Sequence, residues 1–149
     1  MTALSPLLTP EAGERYALRQ WLAADAHRLA CAIAWGRYSE AEAVREIHSW
    51  AAAQVERGKL TLSPAALADA ADLVLSDALN ARERTDRAAL SALVDTAARS
   101  LAARATPEQA ARAAADAARV RDPLPPPHVV GSAVRIALAR AAAPRQRGR

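Results

Sequence analysis

The 149-residue sequence contains no phenylalanine, one cysteine, five glycines and one lysine. A single cysteine, Cys31, excludes an internal disulfide, so nothing indicates an oxidising compartment. Five glycines are too few for a turn-rich β protein, and no stretch alternates apolar and polar residues with a period of two. The sequence therefore predicts an all-α protein.

Long apolar runs are also missing. The longest, LACAIAW, has seven residues, whereas a membrane-spanning helix needs about 20. The N-terminal stretch MTALSPLLTP has no basic segment of the kind that opens a signal peptide. We expect a cytoplasmic protein without a membrane partner.

Alanine dominates what is present, with 42 residues. Alanine, leucine, arginine and glutamate are strong helix formers. Capping residues and helix-starting prolines predict about six helices in a compact bundle. They begin near Thr9, Ser39, Ser63, Thr85, Thr106 and the proline run at 125–127. The predicted inward face of the sixth helix holds Val130, Val134, Ala137 and Leu138.

The segment RDPLPPPHVV at residues 121–130 carries four prolines between two predicted helices. Proline fixes φ and extends the preceding residue, so a rigid turn is the favoured interpretation. A polyproline ligand for an aromatic groove and a flexible interdomain linker are the alternatives.

Two parts of the chain follow the same order of capped helix, leucine–proline link and proline-started helix. Residues 10–82 and 85–143 are therefore candidate copies of one three-helix unit within a helical domain at 10–143. The alternative is that any alanine-rich helical chain looks self-similar. Residues 1–9 are predicted to be an extension, and residues 144–149 a basic disordered tail.

Charge is divided unevenly along the chain. Acidic residues outnumber basic ones by three in residues 1–80, and basic residues exceed acidic ones by seven in residues 81–149. Arginine binds phosphate through a planar, bidentate fork. A basic helical face with a basic arm is typical of many nucleic-acid binders. The candidate contacts are Arg112, Arg119, Arg135, Arg140, Arg145, Arg147 and Arg149. The alternative is a solubilising surface with a frayed terminus.

Two further groups of residues have competing interpretations. His27 and Cys31 share a helical face and could form half of a metal site with His48, but no other ligand has suitable spacing, so we expect no metal. Asp25 and Arg28 lie between Trp21 and Trp35. They form either a polar recognition spot or an ion pair at the rim of the core with Arg28 stacked on an indole, and the second is favoured.

The three tryptophans, at positions 21, 35 and 50, could stack on bases. All three lie beside apolar stripes, which favours a role in the core. Aromatic residues are absent after Trp50, so the basic half has no stacking side chain.

Catalytic motifs are missing: the sequence has no glycine-rich phosphate loop, nucleophile elbow or zinc-protease helix motif. We therefore expect a non-enzymatic binding module without a cofactor. It would contact nucleic acid, with DNA favoured, through the C-terminal arginines. The alternative is a protein–protein adaptor or regulator that docks through the alanine-rich fourth and fifth helices. A homodimer is left open.

Overall fold

A computed structural model describes residues 9–143 of the chain. The described residues form five α-helices and no strand, which confirms the all-α prediction. The helices are α1 (Pro10–Ala34), α2 (Glu40–Glu56), α3 (Pro64–Ala102), α4 (Pro107–Arg119) and α5 (Pro127–Ala142). None of the described helices has the length and apolarity needed to cross a membrane.

The prediction of six helices is wrong at one place. The third and fourth predicted helices are one 39-residue helix, α3, and Thr85 lies inside it. Residues 65–102 contain neither proline nor glycine, so nothing in this stretch stops a helix that has already formed. Arg87 Nη2 also lies 2.7 Å from Glu83 Oε1, one turn away, across the expected break.

The chain divides into two compact units between Arg82 and Glu83. Unit 1 contains α1, α2 and the part of α3 up to Arg82. Unit 2 contains the remainder of α3 with α4 and α5. The predicted duplication of residues 10–82 and 85–143 stays a prediction.

Unit 1 is built around the leucine stripe of α1. Leu18, Leu22 and Leu29 are almost fully buried and pack with Ile47 of α2 and Val74 of α3. Full burial of such side chains stabilises the fold by about 1.5–3 kcal/mol each. This leucine stripe is therefore the core of the unit.

The link between α2 and α3 is fastened to α1. The Glu14 carboxylate accepts hydrogen bonds from the Thr61 backbone N–H (3.0 Å) and from Thr61 Oγ1 (2.9 Å). Leu60 and Leu62, on either side, are buried in the core. The extended link is thus a packed part of unit 1.

The helices α1 to α4 begin at capping residues that the sequence predicts. Side-chain oxygens of Thr9, Ser39, Ser63 and Thr106 each accept from a backbone N–H three residues later. At Thr106 the predicted capping box is complete, because its N–H donates to Gln109 Oε1 at 2.8 Å. These bonds satisfy N–H groups that the first helical turn leaves without partners.

Three helices end in the same hydrogen-bonded turn. After α1, α2 and α3, the residue in the left-handed region is Gly36 (φ 72°), Gly58 (φ 71°) and Arg104 (φ 64°). In each turn this residue's N–H donates three residues back, and the next residue's N–H donates five residues back. This is the Schellman motif, in which glycine is the favoured residue. Arg104 occupies that position with a side chain, at an energetic cost.

Unit 2 has a core of small side chains. Ala110, Ala114 and Ala118 of α4 are buried, and the large buried residues are mainly Leu93 and Val94 of α3. Alanine allows helices to approach closely but buries little area. Unit 2 therefore has less hydrophobic stabilisation per helix than unit 1.

The inward face of α5 is not the predicted one: of the predicted Val130, Val134, Ala137 and Leu138, Ala137 alone is buried. Val129, Ala133 and Ala137 are buried, whereas Val130 and Val134 pack at the edge of the core. The alanine face of α4 contacts α5, so the smallest residues of α5 take the closest position and the larger ones flank it.

The proline segment is a packed turn, as predicted. Pro125 and Pro126 are buried, Pro126 is the N-cap of α5 with φ −61° and ψ 152°, and Pro127 is its first residue. Burial of two prolines removes them from the reach of an aromatic groove on a partner, which argues against a polyproline ligand.

Candidate functional site

Two of the predicted nucleic-acid contacts lie on the outer face of α4. Arg112 and Arg119 are seven residues apart and exposed, and they share this face. Asp116 lies between them, with its Oδ1 3.4 Å from Arg119 Nη1. The face therefore alternates in charge, and Arg112 is the arginine that makes no ion pair with a described residue.

Two more candidates lie on α5, and both are exposed. Arg135 Nη2 donates to Ser132 Oγ at 3.0 Å, and neither Arg135 nor Arg140 pairs with a carboxylate of the described residues. Five residues separate them, which is about 140° around the helix axis. They project in different directions, so α5 presents two separate positive charges.

Arg145, Arg147 and Arg149 lie outside the described residues. Residues 83–143 contain nine arginines and six carboxylates, so unit 2 is basic without them. Its charge is distributed over several surfaces, and Asp116 interrupts the one face predicted on α4.

A groove between α1 and α2 brings together aromatic, basic, acidic and amide side chains of unit 1. It has a volume of about 340 Å³. Its lining includes two indoles, two guanidinium groups, a carboxylate and an amide, which belong to Trp21, Trp50, Arg28, Arg57, Asp25 and Gln54.

Arg28 is held in place inside this groove. Its Cζ lies 5.1 Å from the centroid of the Trp50 ring, and its Nη2 lies 3.5 Å from Asp25 Oδ1. This is the predicted rim ion pair with a guanidinium stacked on an indole, and the indole is that of Trp50. Cation–π contacts of this kind are worth about 0.5–1 kcal/mol at exposed sites.

The prediction that all three tryptophans anchor the core is wrong for Trp21, which is 46% exposed. Trp50 packs against the core. Trp35 is half-buried, with Arg37 Cζ 5.4 Å from its ring. Trp21 lies on the edge of the leucine stripe, and no element in residues 9–82 covers it fully.

The residues weighed for a metal site have other partners. Cys31 Sγ is 3.7 Å from His27 Nε2 and accepts from Arg82 Nη1 at 3.2 Å. His48 Nε2 is 2.6 Å from Asp72 Oδ1, which joins α2 to α3. Residues 9–143 contain no group of three or more potential metal ligands.

Tyr38 forms a short hydrogen bond near the start of α2. Its Oη donates to Glu46 Oε1 at 2.7 Å. This hydrogen bond and the negative charge of Glu46 raise the pKa of the Tyr38 phenol above its ordinary value of 10.0.

Sequence analysis did not predict the roles of Gln54 and Arg57 in the groove. Trp50, Gln54 and Arg57 are spaced at i, i+4 and i+7, which places them on one helical face. That spacing can be read from the sequence. Whether this face of α2 lies opposite Trp21 and Arg28 depends on how α2 packs on α1.

The chain matches no protein-family model, no curated protein and no solved structure.

Proposed function

We propose that the chain is a non-enzymatic helical module that contacts nucleic acid, with DNA favoured, through arginines of unit 2 and the residues that follow it. The observation that carries the proposal is the excess of arginine without carboxylate partners. Arg112, Arg135 and Arg140 are exposed and make no ion pair within residues 9–143. After Asp122 the sequence contains five arginines and no acid.

The mode of binding follows from the distribution of these charges. Those of the described residues lie on different surfaces of α4 and α5, and neither of these two helices presents a continuous basic face. Separate arginines suit contacts to phosphates, which position a protein without reading sequence. We therefore expect binding with little base preference, dominated by counterion release.

The test compares two triple variants in a titration of labelled duplex and single-stranded DNA. In the first, Arg112, Arg135 and Arg140 are replaced by glutamine. In the matched control, Arg37, Arg45 and Lys59 of unit 1, which are also exposed and without ion pairs in the described chain, are replaced by glutamine. Both variants lose three charges, so a general effect of net charge would weaken both equally.

The unit 2 variant should bind at least ten-fold more weakly than the control variant. Equal losses would show that the position of the arginines is unimportant and would contradict the proposal. No binding of the unaltered chain below about 100 µM near physiological salt, the usual non-specific range, would end it.

A second candidate, a protein–protein adaptor, is favoured by exposed apolar side chains in unit 2. Val120 is 85% exposed and Leu124 is 47% exposed. The inward alanines of α4 are buried within unit 2, so docking would use Val120 and Leu124. Replacing both with serine should abolish capture of a protein partner and leave DNA titrations unchanged.

The duplication of a three-helix unit is also proposed, with the copies at residues 10–82 and 85–143. Supporting it, Ser39 and Thr106 cap corresponding helices, Gly36 and Arg104 occupy corresponding Schellman turns, and prolines start the last helix of each copy. Separate expression of residues 83–149 tests it, because a duplicated unit should fold alone. A random-coil circular dichroism spectrum would oppose this.

A cytoplasmic location and a homodimer complete the proposal. The single cysteine supports the first, and the thin alanine core of unit 2, which a second subunit could cover, supports the second. Sedimentation at several concentrations tests the dimer, and a constant monomer mass would exclude it.

A further inference from the structure

We propose that the groove between α1 and α2 binds a small ligand made of a flat aromatic ring and one anionic group, of the nucleoside monophosphate class. This site lies in unit 1 and is independent of the arginines proposed to contact DNA. The ring would stack on Trp21 and the anion would meet Arg57.

Trp21 is the available stacking surface. The residue is 46% exposed although it lies beside the buried leucine stripe. The other indole of the groove, Trp50, packs against the core and already has the Arg28 guanidinium over its ring at 5.1 Å. An aromatic ligand therefore has one open indole to stack on, and stacking of a base on an aromatic side chain is worth about 1–3 kcal/mol.

Arg57 is the available anion contact. Arg28 is partly neutralised by Asp25 at 3.5 Å, whereas Arg57 is exposed and makes no ion pair with a residue in the described part of the chain. The three charged groups leave the groove with one net positive charge. This positive charge attracts the anionic group of a ligand.

The surroundings of the groove favour a small ligand that combines a ring with an anionic group. Residues 1–80 carry an excess of three acidic residues, so bulk charge does not attract anions to unit 1. The half-buried Gln54 adds an amide that can both donate to and accept from polar atoms on a ring edge. A volume of about 340 Å³ lies at the small end of the range for ligand sites, about 300–1,000 Å³.

The experiment is calorimetric titration of the full chain with AMP, adenosine, inorganic phosphate, N-acetyl-tryptophan and a short oligothymidylate. AMP should bind more tightly than adenosine or phosphate alone, because only AMP uses both Trp21 and Arg57. N-acetyl-tryptophan supplies a ring and a carboxylate, and tighter binding of it than of AMP would overturn the nucleotide assignment. The titration with oligothymidylate shows whether the groove binds an unpaired base within a strand or a free nucleotide.

Variants of the full chain test the stacking role of Trp21 and the anion contact of Arg57. Trp21→Ala should weaken AMP by about ten-fold, the equivalent of about 1.4 kcal/mol of stacking, and Arg57→Gln should weaken AMP but leave adenosine unchanged. Trp35→Ala and Arg45→Gln are the matched controls and should bind AMP normally. Circular dichroism confirms that each variant is folded.

Several results would overturn the assignment: no heat at millimolar AMP, equal affinity for AMP and adenosine, or unchanged AMP binding by folded Trp21→Ala. The Arg112/Arg135/Arg140 variant should retain AMP binding. If it loses DNA binding and keeps AMP binding, the two sites are separate. If it loses both, AMP binds at the unit 2 arginines and the groove assignment is wrong.

Discussion

Replacing Arg104 with glycine should give a more stable protein than replacing it with alanine. Arg104 has φ 64°, in the left-handed region that costs a residue with a Cβ about 1–2 kcal/mol. Glycine avoids that cost but loses about 0.4–1 kcal/mol through the greater freedom of its unfolded chain. The difference favours glycine over alanine at position 104 by about 0.5–1 kcal/mol.

The comparison with alanine isolates the energetic cost of the left-handed backbone conformation, because Arg104→Gly and Arg104→Ala lose the same charge near the end of α3. At an ordinary helical position the order is reversed, and glycine is less stable than alanine by about 1 kcal/mol. Ala88, an exposed residue inside α3, provides this control: Ala88→Gly should destabilise the protein.

Gly58 supplies the converse test. It has φ 71°, and a Cβ added to it would meet nothing within 4 Å. Gly58→Ala should therefore lower the free energy of unfolding through backbone strain alone, by about 0.5–1 kcal/mol. Urea unfolding followed by circular dichroism at constant slope measures all four variants. If Arg104→Ala is as stable as Arg104→Gly, the left-handed conformation at this turn is refuted.

Two further predictions concern amide exchange in α4 and the pKa of Tyr38. Amide exchange should be faster in residues 107–119 than in residues 40–57, because α4 buries only alanines whereas α2 also packs Ile47 into the core; equal protection in a proven monomer would contradict this. In a Tyr16→Phe background, absorbance titration should give Tyr38 a pKa above its ordinary value, and Glu46→Gln should lower it. Because the folded-state pKa is raised, the stabilising contribution of Tyr38 is complete below pH 10 and disappears as the pH rises through the folded pKa; an unchanged pKa in Glu46→Gln would show that Glu46 is not the cause.

Local signals made much of the fold predictable. The N-caps at Thr9, Ser39 and Thr106 and the helix-ending glycines Gly36 and Gly58 act within a few residues, so sequence spacing is sufficient to recognise them. Arg104 was missed because arginine has no special preference for the left-handed region, and only the surrounding hydrogen bonds of the folded chain hold it there.

One error has a local cause, and two arose where tertiary packing decides the outcome. Thr85 resembles an N-cap, but a helix with no glycine or proline continues past such a residue. The inward face of α5 depends on the alanines of α4, which favour Ala133 over Val134. Exposure of Trp21 likewise depends on what packs beside α1.

The candidate sites were predictable to different degrees. Charge counting identified the arginines of the second half, but it ignores positions around the helix and so overlooked Asp116, whose spacing places it between the pair on α4. The rim pair of Asp25 and Arg28 followed from spacing on one helix. The groove as a whole did not, because Gln54 and Arg57 belong to another helix.

The most direct test of nucleic-acid contact is the dependence of DNA affinity on salt for the full chain and for a chain lacking residues 144–149. The deletion removes three arginines and leaves every described helix intact. If those arginines contact phosphates, the slope of log K against log salt should fall by up to about 3, since each lost contact lowers it by roughly one. The same slope for both chains, or affinity that does not change with salt, would contradict the account.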